Sequence, residues 1–388
     1  MNEVDPLRSQ FELAKRQFYS FVSKKPEVIE ALYKKETPFL IMDLGGIQNR
    51  FKAVRDSFKG FEVFYAVKAN DDIEVLKSLV RLGAGFEVAS IRELESVIEA
   101  GGEISKIISS NPVKPPDFIK RAYEMGLNRF VVDSETEVQK LARLAPRSRV
   151  YVRLSVPNEG SDWPLAKKFG TDVENALSIL ELSRQLGLIP YGITFHVGSQ
   201  CNNLRNWLIG IKRVSELWEL ARNSGIKLRM LNVGGGLPVE YTYRSLEIEE
   251  IARYIQGLLK KFLQVQPAEL QIEPGRGIVG DQGIMVCSVI GKAKRGEENW
   301  LYIDAGVFNG LAEAIGGIRY GFFIDREGPL KEWTVGGVSC DSVDVVARKV
   351  ALPEPEVGDR IIILSAGAYT TVYASNFNGF RAPYTLCF

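Results

Sequence analysis

From Phe61 to Glu273 short β-rich runs alternate with amphipathic helical stretches, and this alternation constrains the fold more than any other feature of the chain. The pattern predicts strands at Phe61–Val67, Gly85–Val88, Lys106–Ser109, Arg129–Val132, Arg149–Ser155, Gly192–His196, Met230–Val233 and Glu269–Glu273. Each except the last is followed by a helix-like segment. Eight such units in about 210 residues match an α/β fold of the (β/α)8 TIM-like barrel type, whose strands are parallel and whose reactive groups collect at the strands' carboxyl ends. A doubly wound parallel sheet is the rival arrangement. The residues at the predicted strand ends favour the barrel: Lys68, Glu87, Asn111, Asp133, Arg153, His196, Gly234-Gly235-Gly236 and Glu273. Every strand ends on a polar or conformationally special residue.

After Gly277 the pattern changes to short apolar runs broken by Gly, Pro and charged turns, for example Trp300–Ile303, Trp333–Val338 and Arg360–Leu364. These runs predict an antiparallel β-domain. Residues 6–36 read as helical, with Leu7, Phe11, Ala14 and Phe18 at helix spacing and Pro26 as punctuation. A chain of 388 residues exceeds what one core usually supports. The expected organisation is a barrel over 38–277 and a β-domain formed by 278–388 with the helical segment 1–37. Pro38–Asp43 could belong to either.

Composition removes several classes of function. Lys plus Arg (49) nearly cancels Asp plus Glu (48), so no global field draws the chain to nucleic acid or to an anionic membrane. No window approaches the ~20 apolar residues of a transmembrane helix, and the acidic start Met1-Asn2-Glu3-Val4-Asp5 lacks a signal-peptide pattern. A cytoplasmic location is expected. Cys201, Cys287, Cys340 and Cys387 are scattered with no CxxC pair, so neither a zinc site nor a disulfide framework is predicted.

Lys68 ends the apolar run Phe64-Tyr65-Ala66-Val67 and is delivered to the expected barrel mouth. A desolvated lysine amine can form a Schiff base, although a strand-end lysine can also simply extend to solvent. His196 is the only histidine in the chain, which excludes a three-histidine zinc site. Gly234-Gly235-Gly236 and Glu273-Pro274-Gly275-Arg276-Gly277 follow the seventh and eighth strands, where barrels build phosphate sites from exposed N–H groups, and Ser199 could add a hydroxyl. The same glycines could mean only tight turns. Glu273 could hold a proton on a pyridine nitrogen or could pair with Arg276 or Arg153. Ser339-Cys340-Asp341-Ser342-Val343-Asp344 and Gly367-Ala368-Tyr369-Thr370 are not interpretable by spacing alone.

Together the segments FYAVKAN, HVGSQ, GGG, EPGRG, CDS, GAYT and FNGF, in this order from about Pro38 to Phe388, resemble the fold type III pyridoxal-phosphate decarboxylases of ornithine, diaminopimelate and arginine, most closely the ornithine branch. The resemblance implies that Lys68 carries pyridoxal phosphate, that His196 stacks on its ring and that Glu273 pairs with the ring nitrogen, with Glu87 and Arg153 supporting the site. Ser199, Gly235, Gly236, Gly275, Arg276 and Tyr369 match phosphate-binding positions. It further implies a homodimer with shared active sites, in which Cys340 donates a proton after loss of carbon dioxide and Asp341 meets the substrate's distal amine. Phe377 matches an aromatic residue that lines the site. The reaction so implied is decarboxylation of an ornithine-like basic amino acid in polyamine biosynthesis. The related racemases place arginine, not glutamate, against the ring nitrogen.

One departure bears on substrate. The ornithine enzymes carry an acid eight to ten positions after an Asp-x-Gly-Val segment; here Asp304-Ala305-Gly306-Val307 leads to Glu313-Ala314-Ile315-Gly316-Gly317, with two glycines where the acid is expected and Glu313 as the nearest carboxylate. Loss of a charge-assisted hydrogen bond costs on the order of ~1.5–3 kcal/mol. A longer or modified substrate such as lysine, arginine or a carboxylated polyamine is therefore an alternative, and Arg319 could favour one with an acidic tail. A non-catalytic regulatory homologue is another.

Overall fold

The eight predicted strands all form. In the computed structural model, which describes residues 5–23, 25–164 and 168–388, they are Phe61–Ala66, Gly85–Glu87, Ile107–Ile108, Arg129–Val132, Arg149–Leu154, Ile189–Phe195, Met230–Asn232 and Glu269–Ile272. They pair in parallel, each with its neighbour in the chain, and the eighth pairs with the first through Leu270↔Phe61 and Ile272↔Val63. The isolated parallel bridge Ser109↔Phe130 joins the third strand's end to the fourth and completes the ring.

This barrel unit comprises Gln48–Pro238 and Leu246–Ile278. Phe64, Ile108, Val131, Tyr151, Tyr191 and Met230 form a buried cluster inside it. The outer helices are amphipathic: Ile248–Phe262 buries Ile251, Ala252, Ile255 and Leu259, carries Glu249 and Glu250 in its first turn and ends on Lys260 and Lys261, matching its macrodipole. The eighth strand leads only to the single turn Arg276–Val279.

The other unit comprises the residues up to Ile47, Val239–Ser245 and Val279–Phe388. Its sheet is mixed rather than wholly antiparallel. Most neighbours run antiparallel, but Glu298–Ile303 pairs in parallel with Leu330–Gly336, and Phe39–Met42 in parallel with Tyr384–Cys387. Because Phe39–Met42 also pairs antiparallel with Gly283–Arg295, it lies in this unit, and the expected boundary at Pro38 falls before it. The helix Pro6–Val22 is capped by Asp5, whose Oδ1 accepts the Leu7 N–H at 3.0 Å, and it rests Phe11 and Phe18 on Phe323. A second helix follows at Pro26–Lys34. No helix among the described residues is long and apolar enough to cross a membrane.

Candidate active site

Parallel strands release their side chains at one rim, so residues far apart in sequence meet there. Lys68 sits in the single turn Val67–Ala69 that follows the first strand, and its Nζ bonds and ion-pairs with Glu87 Oε2. Glu87 ends the second strand and is buried.

Glu273 follows the eighth strand and is also buried. Its Oε1 accepts hydrogen bonds from the Ser110 hydroxyl and from Asn232 Nδ2, the latter at 2.7 Å. Burial raises its proton affinity above the ordinary carboxylate range, and the Glu87 carboxylate adds to this; Lys68, Ser110 and Asn232 pull the other way. A third carboxylate, Glu93, is pushed up to about 7, chiefly by burial and next by Glu87. Its Oε2 accepts the Ala89 N–H at 2.6 Å.

His196 follows the sixth strand. Its Nδ1 accepts the Gly198 N–H at 3.0 Å, and Asn158 Nδ2 donates to its main-chain carbonyl at 3.2 Å. Burial pushes the imidazole well below its usual range, with the Arg153 and Lys68 cations adding to the effect. The ring is therefore neutral at neutral pH. Arg153, in the fifth strand, lies over the Phe169 ring at 5.6 Å and feels the charges of Glu273, Asp133 and Glu87.

The glycine-rich turns pack against these groups. Gly234 has φ +71° and Gly236 φ +94°, a conformation that disfavours side chains. A Cβ on Gly235 would lie 2.4 Å from the Glu273 carbonyl oxygen and 3.2 Å from His196 Nε2, so only glycine lets this backbone come so near both. Asn232 Oδ1 accepts the Gly234 N–H at 2.8 Å, and Arg276 Nε donates to Ser199 Oγ at 3.1 Å within a buried pair. Gly275 accepts the Ile278 N–H through its carbonyl.

The remaining candidates belong to the other unit. Cys340 is exposed, with its Sγ 3.4 Å from Asn378 Oδ1. Asp341 is exposed and accepts the Val343 N–H at 2.9 Å. Phe377 is half-exposed and packs on Phe308 at 4.5 Å. Tyr369 adopts φ 56° and stacks on Tyr373. Glu313 is buried in the turn Ala312–Ala314. Gly316 and Gly317 are exposed, and Gly317 has φ +103°. The bonds Gly317 N–H to Ala314 O (3.2 Å) and Ile318 N–H to Glu313 O (3.2 Å) make a Schellman cap, which explains a glycine there independently of substrate.

Strand-end patterning missed Ser110 and Asn232. Asn232 is the last residue of its strand and Ser110 adjoins the strand-end residue Asn111, so position was the available signal.

Residues 44–280 match the family model described as pyridoxal-dependent decarboxylase, pyridoxal binding domain. The chain is 35% identical over 358 residues to the lysine/ornithine decarboxylase of Selenomonas ruminantium, covering 91% of this chain and 90% of that protein. It is 31% identical to antizyme inhibitor 2 of Xenopus laevis, covering 88% and 79%. The crystal structure of the Vibrio vulnificus lysine/ornithine decarboxylase complexed with cadaverine superposes with a TM-score of 0.86 at 30% identity, covering 94% of this chain and 99% of that one. A family match over more than half of the chain, together with this identity and fold, means that the chain belongs to the fold type III pyridoxal-phosphate-dependent amino-acid decarboxylases.

Proposed function

We propose that the protein decarboxylates a basic amino acid of the ornithine or lysine type, with the cofactor held by Lys68. One observation carries this reading: a strand-end amine is paired to a buried carboxylate, Glu87, and lies in the field of a second, Glu273, whose proton affinity is raised. The donor set fits pyridoxal phosphate. Lys68 offers an amine to its aldehyde, Glu273 a carboxyl to its ring nitrogen and His196 an aromatic face to its ring. Ser199, Gly235, Gly236, Gly275, Arg276 and Tyr369 offer a hydroxyl, main-chain N–H groups, a guanidinium and a phenol to its phosphate.

When bound, the cofactor supplies a sink for the electrons of the breaking Cα–carboxylate bond. Glu273 keeps the ring nitrogen protonated, and its orientation is held by Ser110 and Asn232. His196, neutral, covers the ring without adding positive charge, while Glu87 and Arg153 supply balancing charge. Cys340 Sγ delivers to Cα the proton that replaces the lost carboxylate. Asp341 takes the substrate's distal ammonium, an ion pair worth most where water is excluded.

Exposure of Cys340 and Asp341 beside Phe377, Phe380 and Val343 supports a homodimer in which this face covers the partner's site. The sequence of the Selenomonas relative supports ornithine and lysine as first substrates. A longer substrate is the second reading, since Gly316 and Gly317 put no carboxylate where the ornithine enzymes carry one. Likeness to an antizyme inhibitor raises a non-catalytic role, against which stands the retention of Lys68, His196, Glu273 and Cys340.

The test is carbon dioxide release from ornithine, lysine, arginine, diaminopimelate and carboxynorspermidine, ranked by kcat/KM. Highest activity on ornithine or lysine, abolished in Lys68→Ala, is the expected result. Undiminished release by Lys68→Ala, or none from any substrate by cofactor-loaded wild type, overturns the reading.

A further inference from the structure

We propose that Lys114 is a positioning residue for this reaction: its buried ammonium clamps the loop after the third strand so that the Ser110 hydroxyl meets Glu273. The inference rests on the reading of Glu273 as the acid facing the cofactor.

The seam between the third and fourth strands is the shortest in the barrel. The third strand has two residues, Ile107 and Ile108, and its ladder to the fourth ends at Ser109, which donates to Arg129 O at 3.1 Å and accepts from Val131 N at 2.9 Å. The chain then turns away, and the next ladder acceptor, Val131 O, is bonded by Lys114 Nζ at 2.7 Å. The same Nζ donates to Asn111 O at 2.9 Å and approaches Pro112 O at 3.3 Å. A side-chain ammonium thus continues a ladder that the backbone abandons, and it binds the turned-away loop to the strand it left.

Lys114 is fully buried, and an ammonium is tolerated there only with strong partners. Glu137 supplies the charge: its Oε1 lies 2.9 Å from Lys114 Nζ and accepts the Lys114 N–H at 3.2 Å, and its Oε2 lies 2.6 Å from Lys140 Nζ. Lys140 Nζ in turn donates to Lys114 O at 2.6 Å. Burial lowers the Lys114 proton affinity to about 8 against the pull of Glu137 and Asp133, with Lys140 acting in the same direction as burial.

The clamped loop begins with Ser110. Its hydroxyl donates to Glu273 Oε1, and its N–H points to Glu87 Oε1 at 3.4 Å. One serine therefore touches both carboxylates that surround Lys68. The clamp ties this loop to the fourth strand, so it sets how firmly Glu273 is held and what proton affinity it has.

The experiment compares cofactor-loaded Lys114→Met, Ser110→Ala and the double variant in kcat, KM and the pH dependence of kcat. The expected result is a fall in kcat of about tenfold for Lys114→Met with KM within about threefold, a shifted pH profile, and a double variant no worse than the poorer single one. Glu137→Gln, which keeps the shape and removes the counter-ion, should show the same signature and serves if Lys114→Met does not fold. Wild-type kcat and pH profile in the Lys114 or Glu137 variant, or effects that multiply in the double variant, would overturn the proposal. Glu273→Gln separates the two levels. If it is as active as wild type, the assignment of Glu273 fails; if it is impaired while the Lys114 and Glu137 variants are normal, only the clamp fails.

Discussion

Asn232 donates from Nδ2 to Glu273 Oε1 at 2.7 Å while its Oδ1 accepts the Gly234 N–H at 2.8 Å. One buried amide thus holds both the acid assigned to the ring nitrogen and the first glycine of the loop assigned to the phosphate. Its two ends cannot be exchanged without losing both bonds, because only the nitrogen donates and only the oxygen accepts.

Replacing Asn232 by Leu removes a charge-assisted bond and strands a buried N–H. A hydrogen bond to a charged group is worth about 1.5–3 kcal/mol, so kcat/KM should fall about 10- to 150-fold and cofactor affinity should weaken. Steady-state kinetics and cofactor titration check this. An Asn232→Leu enzyme within threefold of wild type in both would show that the amide is dispensable.

His196 should make the fold sensitive to acid. Its folded proton affinity lies well below the ordinary 6.5 because of burial and then of Arg153 and Lys68. Below pH 6.5 the unfolded chain takes up a proton that the folded site refuses, so stability falls as pH falls through that value toward the folded one. Denaturant midpoints of wild type and His196→Gln between about pH 7.5 and pH 5 should show the smaller acid loss in the variant. Equal losses would mean that the imidazole titrates normally.

The turn at Gly317 predicts a backbone effect. Gly317→Ala must place a Cβ at φ +103° and should destabilise by about 1 kcal/mol, whereas Gly316→Ala should change stability by less than about 0.5 kcal/mol. Chemical denaturation distinguishes them. Equal effects would argue against the Schellman cap as the reason for the glycine.

The proposed sharing of active sites between two copies predicts complementation. Lys68→Ala and Cys340→Ala proteins, each inactive alone, should on mixing and subunit exchange recover about one quarter of wild-type sites, since half of the dimers are mixed and each mixed dimer has one intact site. Mixing followed by assay of the amine product, whose formation needs the proton from Cys340, checks it. No recovery despite demonstrated exchange would mean that each site draws on one chain.

Much of the fold was legible because its signals are local. A short β-rich run and an amphipathic helix each announce themselves within a few residues, and their repeated alternation from Phe61 to Glu273 leaves few architectures. The β-domain was less legible. Trp300–Ile303 and Trp333–Val338 read as strand runs, but nothing within either says that the strands there run parallel to each other. At Gly316-Gly317 the sequence shows a missing carboxylate, while the cap that also calls for a glycine at 317 is visible only in the hydrogen bonds from Gly317 N–H to Ala314 O and from Ile318 N–H to Glu313 O.

The sequence by itself determined the alternation of strands and helices and which residues stand at the strand ends, because strand ends fall where the local pattern changes and the residue there is simply read. Only the tertiary structure decided that Ser110, Asn232 and Glu273 form one hydrogen-bonded group, that Lys114 closes the shortest seam, and that Glu273 binds its proton more tightly and His196 less tightly than in water. Those properties depend on burial and on charges brought close in space from distant parts of the chain, and no local pattern encodes either.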